Sequence, residues 1–202
     1  MKLPRVLSSV RALMALVLAL GGGLGWFVHR AQVQRDAVAA ILRAGGRVSY
    51  DWQWNNGRRI AQGKLRWPGW LVDRLGPDYF ADVTRVDLAA RGGDEVLAYV
   101  GHLGRLQSLD GMGSTVTDAG MAHLDGLNRL QALTLAHTRV SDVSLPHLKR
   151  LTGLRKLDLW LTKVSEIGLD ELRQAMPSTS VDPPPWPKEA QVAPFVPSGA
   201  AR

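Results

Sequence analysis

The sequence predicts an α/β fold: a short solenoid of about four repeats, each a short strand and a helical return, with an α+β N-terminal cap and one transmembrane helix. Three observations carry this. Apolar residues recur with a period of 24 residues between Val83 and Met176. Ahead of them, Val48, Tyr50, Trp52 and Trp54 alternate with polar residues up to an Asn56-Gly57 turn signal. At the N-terminus, residues 12–28 (ALMALVLALGGGLGWFV) form an uninterrupted apolar run without charge.

The chain has 202 residues, 46% apolar and 21% charged, enough for one modest domain plus appendages. It has no Cys, which excludes disulfide staples, thiolate catalysis and Cys-type zinc sites. The net charge of +7 is unevenly placed. Residues 1–80 hold 12 Lys/Arg against 4 Asp/Glu, whereas residues 81–202 hold 13 against 14. Basic excess beside an apolar segment points to a membrane surface rather than to nucleic acid.

Residues 1–30 read as a signal anchor. The 17 residues of the apolar run would rise roughly 26 Å as a helix, the short end of a membrane span. Trp26 and Phe27 sit where an interfacial aromatic anchor belongs, and His29, Arg30 and Arg35 follow as a polar flank. A cleaved signal peptide is the competing reading, with Lys2, Arg5 and Arg11 as its basic region. No small-x-small cleavage site follows Phe27, which favours retention. Basic residues flank both ends, so the positive-inside rule does not decide the topology. Signal-anchor habit would place the repeats outside the cytoplasm, in a single-pass membrane protein. Gly21 and Gly25 make one GxxxG spacing, which would let two such helices approach closely.

Residues 31–82 are expected to form the cap. Val38, Ile41 and Leu42 mark one face of a helix over 32–44, which Gly45-Gly46 ends. The alternating stretch 48–54 predicts a strand, and a second strand is expected over 59–65 across the Asn56-Gly57 turn. A repeat array exposes an apolar end that such a module covers. The alternative use is a Trp-rich basic face, with Arg58, Arg59, Lys64 and Arg66 placed to stack single-stranded nucleic acid.

Residues 83–177 hold the repeats. One register reads Leu127, Leu130, Leu133, Leu135, Thr138, Val140, Leu145 and Leu148; adding 24 gives Leu151, Leu154, Leu157, Leu159, Thr162, Val164, Leu169 and Leu172. Subtracting 24 gives Leu103, Leu106, Leu109, Gly111, Ser114, Val116, Met121 and Leu124. An earlier copy, with Val83, Val86, Leu88, Leu97 and Val100, is one residue shorter. Each LxxLxL is a short strand with its leucines on one side, and the segment after it returns as a helical turn. Thr117, Ser141 and Ser165 are expected N-caps, with Asp118, Asp142 and Glu166 as first-turn acids that suit the helix dipole. Pro146 should remove one helical hydrogen bond from its repeat.

The LxxLxLxxT frames at 130–138 and 154–162 resemble the leucine-rich-repeat family. The turns from Ser114 to Asp118 and from Thr138 to Asp142 look like its 24-residue cysteine-containing or GALA-like class. The resemblance covers residues 81–177 and implies a curved solenoid, with parallel strands on its concave side and helices on its convex side, that binds a protein partner on its concave sheet. Many repeats of the family carry Asn where this chain has Ser114, Thr138 and Thr162. A hydroxyl there can bond to the turn backbone, though less completely.

Alternate strand positions would face a ligand. Arg85, Ser108, Ala132 and Lys156 form one column, Asp87, Asp110, Thr134 and Asp158 the next, and Ala89, Met112, Ala136 and Trp160 a third. The partner-binding candidates are Arg85, Asp87, Asp110, Met112, Thr134, Lys156, Asp158 and Trp160, since exposed Trp and Arg dominate binding energies. The bland reading makes these solvated strand positions, with Trp160 packed on the tail. No nucleophile elbow, phosphate loop or metal-binding helix motif occurs, so no catalytic residue, cofactor or metal is expected. His123 and His147 lie 24 apart and read as a repeated surface residue rather than as a ligand pair. Residues 178–202 belong to a stretch that holds, from Pro177 on, 7 of 11 prolines, and they are expected to be a disordered tail. The expected function is binding of a protein partner by a membrane-anchored repeat domain, with no enzyme activity and no nucleic acid. The alternative is self-association at the membrane without a discrete ligand.

Overall fold

The computed structural model describes residues 5–55, 58–59 and 67–182, with side chains from Gly21 onward outside the 54–55 and 58–59 pair. These residues form a mixed α/β structure with six α-helices, one six-stranded sheet and one two-stranded sheet.

Helix α1 runs from Arg5 to Arg43 without a break, so the expected anchor and cap helix are one element. No helix among the described residues is long and apolar enough to cross a membrane. This corrects the expected transmembrane helix and signal anchor. Within the apolar run, four of the five residues from Gly21 to Gly25 are glycine, which brings no apolar side chain, and His29 and Arg30 follow the run at once. The side chains of residues 12–20 lie outside the described residues.

From Ala31 onward α1 packs on the repeats. Ala37, Val38 and Ile41 enter the main core at the spacing of one helical face. Gln34 is buried beside them. Its Nε2 donates to the Ala81 carbonyl (2.8 Å) and to Asp78 Oδ1 (3.3 Å), and its Oε1 accepts from the Val83 amide (3.4 Å). This amide side chain ties the helix to the segment that enters the sheet.

Strand β1 (Arg47–Tyr50) is shorter than the alternating pattern predicts. A 3-10 turn at Asp51–Gln53 intervenes, closed by the Tyr50 amide donating to Gln53 Oε1 (3.0 Å) and the Asp51 amide to the Asp82 carbonyl (2.9 Å). The short strands β2 (Trp54–Asn55) and β3 (Arg58–Arg59) pair antiparallel, Trp54 with Arg59 and Asn55 with Arg58. The rest of the expected second strand lies outside the described residues. Helix α2 (Gly69–Leu75) and a 3-10 turn (Pro77–Tyr79) lead back to the sheet. The Tyr50 hydroxyl donates to Asp78 Oδ1 (2.9 Å), and burial together with that carboxylate pushes it above the usual tyrosine range.

β1 pairs antiparallel with β4 (Val83–Asp87), and the rest of the sheet is parallel: β5 (Ser108–Asp110), β6 (Ala132–Thr134), β7 (Lys156–Asp158) and β8 (Ser180–Asp182), in sheet order β1-β4-β5-β6-β7-β8. Leu109, Leu133, Leu157 and Val181 are successive partners 24 residues apart. Each strand returns through α3 (Asp94–Val100), α4 (Asp118–Met121), α5 (Leu145–Leu148) or α6 (Glu166–Ala175). From Leu127 to Leu172 every leucine at a repeat position is buried in one continuous cluster, and Leu161, outside the repeat positions, is exposed.

Two expectations need correction here. Residues 180–182, assigned to a disordered tail, form β8, whose Val181 closes the core beside Leu172 and Met176. Pro146 costs its repeat no helical bond: the return starts as a 3-10 turn (Asp142–Ser144), and Pro146 falls in the first turn of α5, where an amide would have no helical acceptor.

Two columns of side chains hold the array, one within each turn and one between neighbouring repeats. In the turns, the Ser114, Thr138 and Thr162 hydroxyls donate to the carbonyls of Gly111, Leu135 and Leu159 (2.7–2.8 Å). On the return side, the first-turn acids reach across. Asp94 accepts from the Thr117 amide (2.8 Å) and hydroxyl (2.6 Å), Asp118 from the Ser141 amide (2.8 Å) and hydroxyl, and Asp142 from the Ser165 amide (2.8 Å). Each acid thus holds the N-cap residue of the following repeat. Sequence reasoning gave these acids to the dipole of their own helix and missed the bracket, although Asp94 shares their period.

Candidate functional site

The in-register pairing fixes which residues share the outer face of the sheet. Leu109, Leu133 and Leu157 point inward, so the residues on either side of each point outward. Arg85, Ser108, Ala132, Lys156 and Ser180 form one row across the strands, and Asp87, Asp110, Thr134, Asp158 and Asp182 the next. β1 extends both, placing Ser49 beside Arg85 and Arg47 beside Asp87.

Each expected site residue has a definite place in these rows. Arg85 and Lys156 share a row but stand three strands apart, about 14 Å at the usual strand spacing. Asp87 and Asp110 are neighbours, and Thr134 separates them from Asp158. Asp182, which sequence reasoning left in the tail, adds a fourth carboxylate. Its signal was present, since 24 residues separate Asp158 from Asp182.

Met112 and Trp160 emerge beyond the ends of β5 and β7, 59% and 46% exposed, so neither is committed to the core. They are not independent of the acidic row. The Met112 amide donates to Asp110 Oδ1 and the Trp160 amide to Asp158 Oδ1, both at 3.0 Å. Each aspartate therefore commits one oxygen to an Asx turn that sets the backbone of the exposed residue two positions on. Between them, the Thr134–Ala136 repeat carries no acid, and Ala136 is buried. The face thus presents two acid-plus-apolar pairs, Asp110–Met112 and Asp158–Trp160, two repeats' spacing apart.

The turns that follow have a left-handed residue at one position: Gly113, His137 and Leu161, with φ of 68°, 59° and 54°. Only the first is glycine. Leu161 is also exposed next to Trp160, so the apolar surface of the fourth repeat extends past the strand. Val143 and Ile167, 24 residues apart at the starts of two return segments, are further exposed apolar residues that sequence reasoning passed over.

The histidines at 123 and 147 do not meet as a pair in the hydrogen-bond pattern. His147 Nδ1 lies 2.9 Å from Asp125 Oδ1, and Arg150 donates to the other carboxylate oxygen. Burial alone would raise the Asp125 pKa, but the hydrogen bonds from His147 and Arg150 outweigh it and hold the carboxyl below its usual range. Among the described residues no group of three His, Asp or Glu side chains is placed to hold a metal ion. The side chains of Arg58, Arg59, Lys64 and Arg66, the basic Trp-rich alternative, lie outside the described residues. No protein-family model matches the sequence, and no curated protein is significantly similar to it.

Proposed function

We propose that this chain is a leucine-rich-repeat protein that binds a protein partner on the outer face of its sheet. The observation that carries the reading is the pair of exposed apolar side chains, Met112 and Trp160, each set by an aspartate of the same strand row. Exposed apolar side chains beside carboxylates, on turns whose backbone is already fixed by a hydrogen bond, suit an interface, because that backbone does not have to be ordered on binding. Arg85 and Lys156 add charges of the opposite sign in the adjacent row, which would fix the orientation of a partner. Four parallel repeats make a small surface, so affinity would rest on these few anchors.

The test places a photo-crosslinking residue at position 112, with a control at Glu171 on the outer helical side, in the full-length protein. A heterologous adduct that forms at 112, is absent at 171 and disappears with Trp160→Ala or Asp158→Ala supports the reading. Equal crosslinking at both positions, or adducts indifferent to both substitutions, would sink it. A second reading, association of this chain with itself, is favoured by β8 being the last strand of the sheet among the described residues. That reading predicts adducts of twice the chain mass and a concentration-dependent sedimentation coefficient.

A further inference from the structure

We propose that a pocket between α1 and the loop before β5 binds an oxyanion carried on a short apolar body. The pocket has a volume of about 340 Å³, within the range that holds small ligands. It opens beside the start of β4, and none of its lining residues belongs to the outward rows of the sheet, so it does not depend on the partner-binding reading.

Its polar part is built from two arginines that converge on one carboxylate. Arg30 of α1 donates to Asp82 Oδ1, and Arg105 pairs with Asp82 Oδ2 at 3.3 Å. One aspartate neutralises one guanidinium, so the group keeps an excess positive charge. Arg30 and Arg105 contact different oxygens of one carboxylate, and both line the same pocket. A guanidinium has five N–H donors, more than one carboxylate oxygen accepts. Planar donors of this kind match the oxygens of a phosphate or carboxylate group. Both arginines are partly open to solvent, with side chains 39% and 53% exposed, so an incoming anion can reach them. His29 and His102 also border the pocket and bring further ring nitrogens.

The rest of the wall is apolar. Val33 from α1, Val83 at the start of β4 and Leu103 line it, and an inorganic ion alone would leave that surface uncovered. A phosphate or carboxylate on a chain of a few carbons would satisfy both parts. A purely structural Arg–Asp–Arg clasp between helix and repeats would give the same ion pairs, so the experiment must separate a clasp from a site.

The full-length protein is titrated with inorganic phosphate, hexyl phosphate and hexanoate at constant ionic strength, following the arginine Nε–Hε signals by NMR. The proposal expects saturable shifts of the Arg30 and Arg105 signals. Hexyl phosphate should saturate at a concentration about tenfold lower than inorganic phosphate, the gain from burying two or so methylenes. A stronger response to hexyl phosphate than to hexanoate would assign a phosphate head group, and the reverse a carboxylate. Arg105→Lys keeps the charge but loses the fork, and should weaken binding several-fold. Arg105→Gln should abolish it with melting unchanged. Shifts that grow linearly to tens of millimolar with every ligand, or that persist in Arg105→Gln, would overturn the proposal. So would equal saturation by hexyl phosphate and inorganic phosphate. Should Arg105→Gln not fold, the wild-type titration and Arg105→Lys still decide.

Discussion

Replacing Asp118 by alanine removes the bracket between the second and third repeats, and the structure sets its cost. Asp118 accepts from the Ser141 amide at 2.8 Å and from the Ser141 hydroxyl. Hydrogen bonds to a charged acceptor contribute about 1.5–3 kcal/mol each, and a partly buried amide left without a partner costs about 1–3 kcal/mol. The hydroxyl can turn to water, and Ser141 keeps its capping role toward Val143, so the two losses do not simply add. About 3 kcal/mol is the working figure, a large part of the roughly 5–15 kcal/mol that holds a domain together. Asp142 makes one such bond, to the Ser165 amide, and Asp142→Ala should cost about half as much. Asp118→Asn keeps one acceptor oxygen for the Ser141 amide and loses the charge and the second acceptor, whose hydroxyl partner can turn to water, at about 1 kcal/mol. The assay is urea unfolding followed by far-ultraviolet circular dichroism, with the three variants compared at one pH. The required order is Asp118→Ala, then Asp142→Ala, then Asp118→Asn. An Asp118→Ala variant within 0.5 kcal/mol (roughly the spread of neutral surface substitutions) of the parent would refute the bracket, as would Asp142→Ala proving the more costly.

Leu161→Gly should stabilise the protein. A left-handed residue with a Cβ costs about 1–2 kcal/mol and glycine about 0.5–1 kcal/mol in chain entropy, so a melting point raised by a net gain below about 1.5 kcal/mol is expected, and a fall would contradict it. Leu133→Ala and Leu157→Ala empty fully buried positions and should each cost about 2–5 kcal/mol; a loss under about 1 kcal/mol by urea titration would mean that the repeats do not share one core. Asp125 stabilises the fold through a depressed folded-state pKa. Its contribution is therefore complete above the unfolded value near about 4 and fades as pH falls through the lower, folded value. The stability gap between parent and Asp125→Asn should be constant at neutral pH and close in acid; a gap that widens on acidification would reverse the assignment.

The parallel sheet was legible because its cause is periodic. Any one of Leu109, Leu133 and Leu157 is an ordinary leucine, but a spacing of 24 means that each meets its equivalent across a strand pair. The outward columns followed from the same register, since a strand alternates faces. What escaped was either non-periodic or doubly used. β8 has no LxxLxL frame: its repeat keeps only Val181 and Asp182 in register, and Pro183 follows at once. The bracket acids were visible but carry two physically sensible roles, and sequence alone cannot say whether a first-turn aspartate serves its own helix or the next repeat. The continuity of α1 through residue 30 was hidden because apolar character changes there while helix propensity does not. The oxyanion pocket joins Arg30, Asp82 and Arg105, which share no motif and meet only because α1 packs on the array.

The same contrast separates residues that build the array from those left to act. In the turns and return segments, the repeated polar side chains have backbone or N-cap partners: the hydroxyls at 114, 138 and 162 inside their turns, and the acids at 94, 118 and 142 across them. On the sheet face the pattern changes. Asp110 and Asp158 repeat at alternate copies, each commits one oxygen to a turn, and each stands under an apolar residue that the core does not need. Thr134 and Ala136 show that the fold tolerates a repeat without either feature. Stability therefore does not explain why Asp and a large apolar side chain occur together twice, whereas the proposed binding of a partner would. Thr134→Asp tests this directly, because it fills the gap in the acidic row without touching the buried Ala136. Like charges across neighbouring strands should cost no more than about 1 kcal/mol, while binding through the face should change its preference. A partner captured equally well by both proteins would leave the acidic row without a part in recognition.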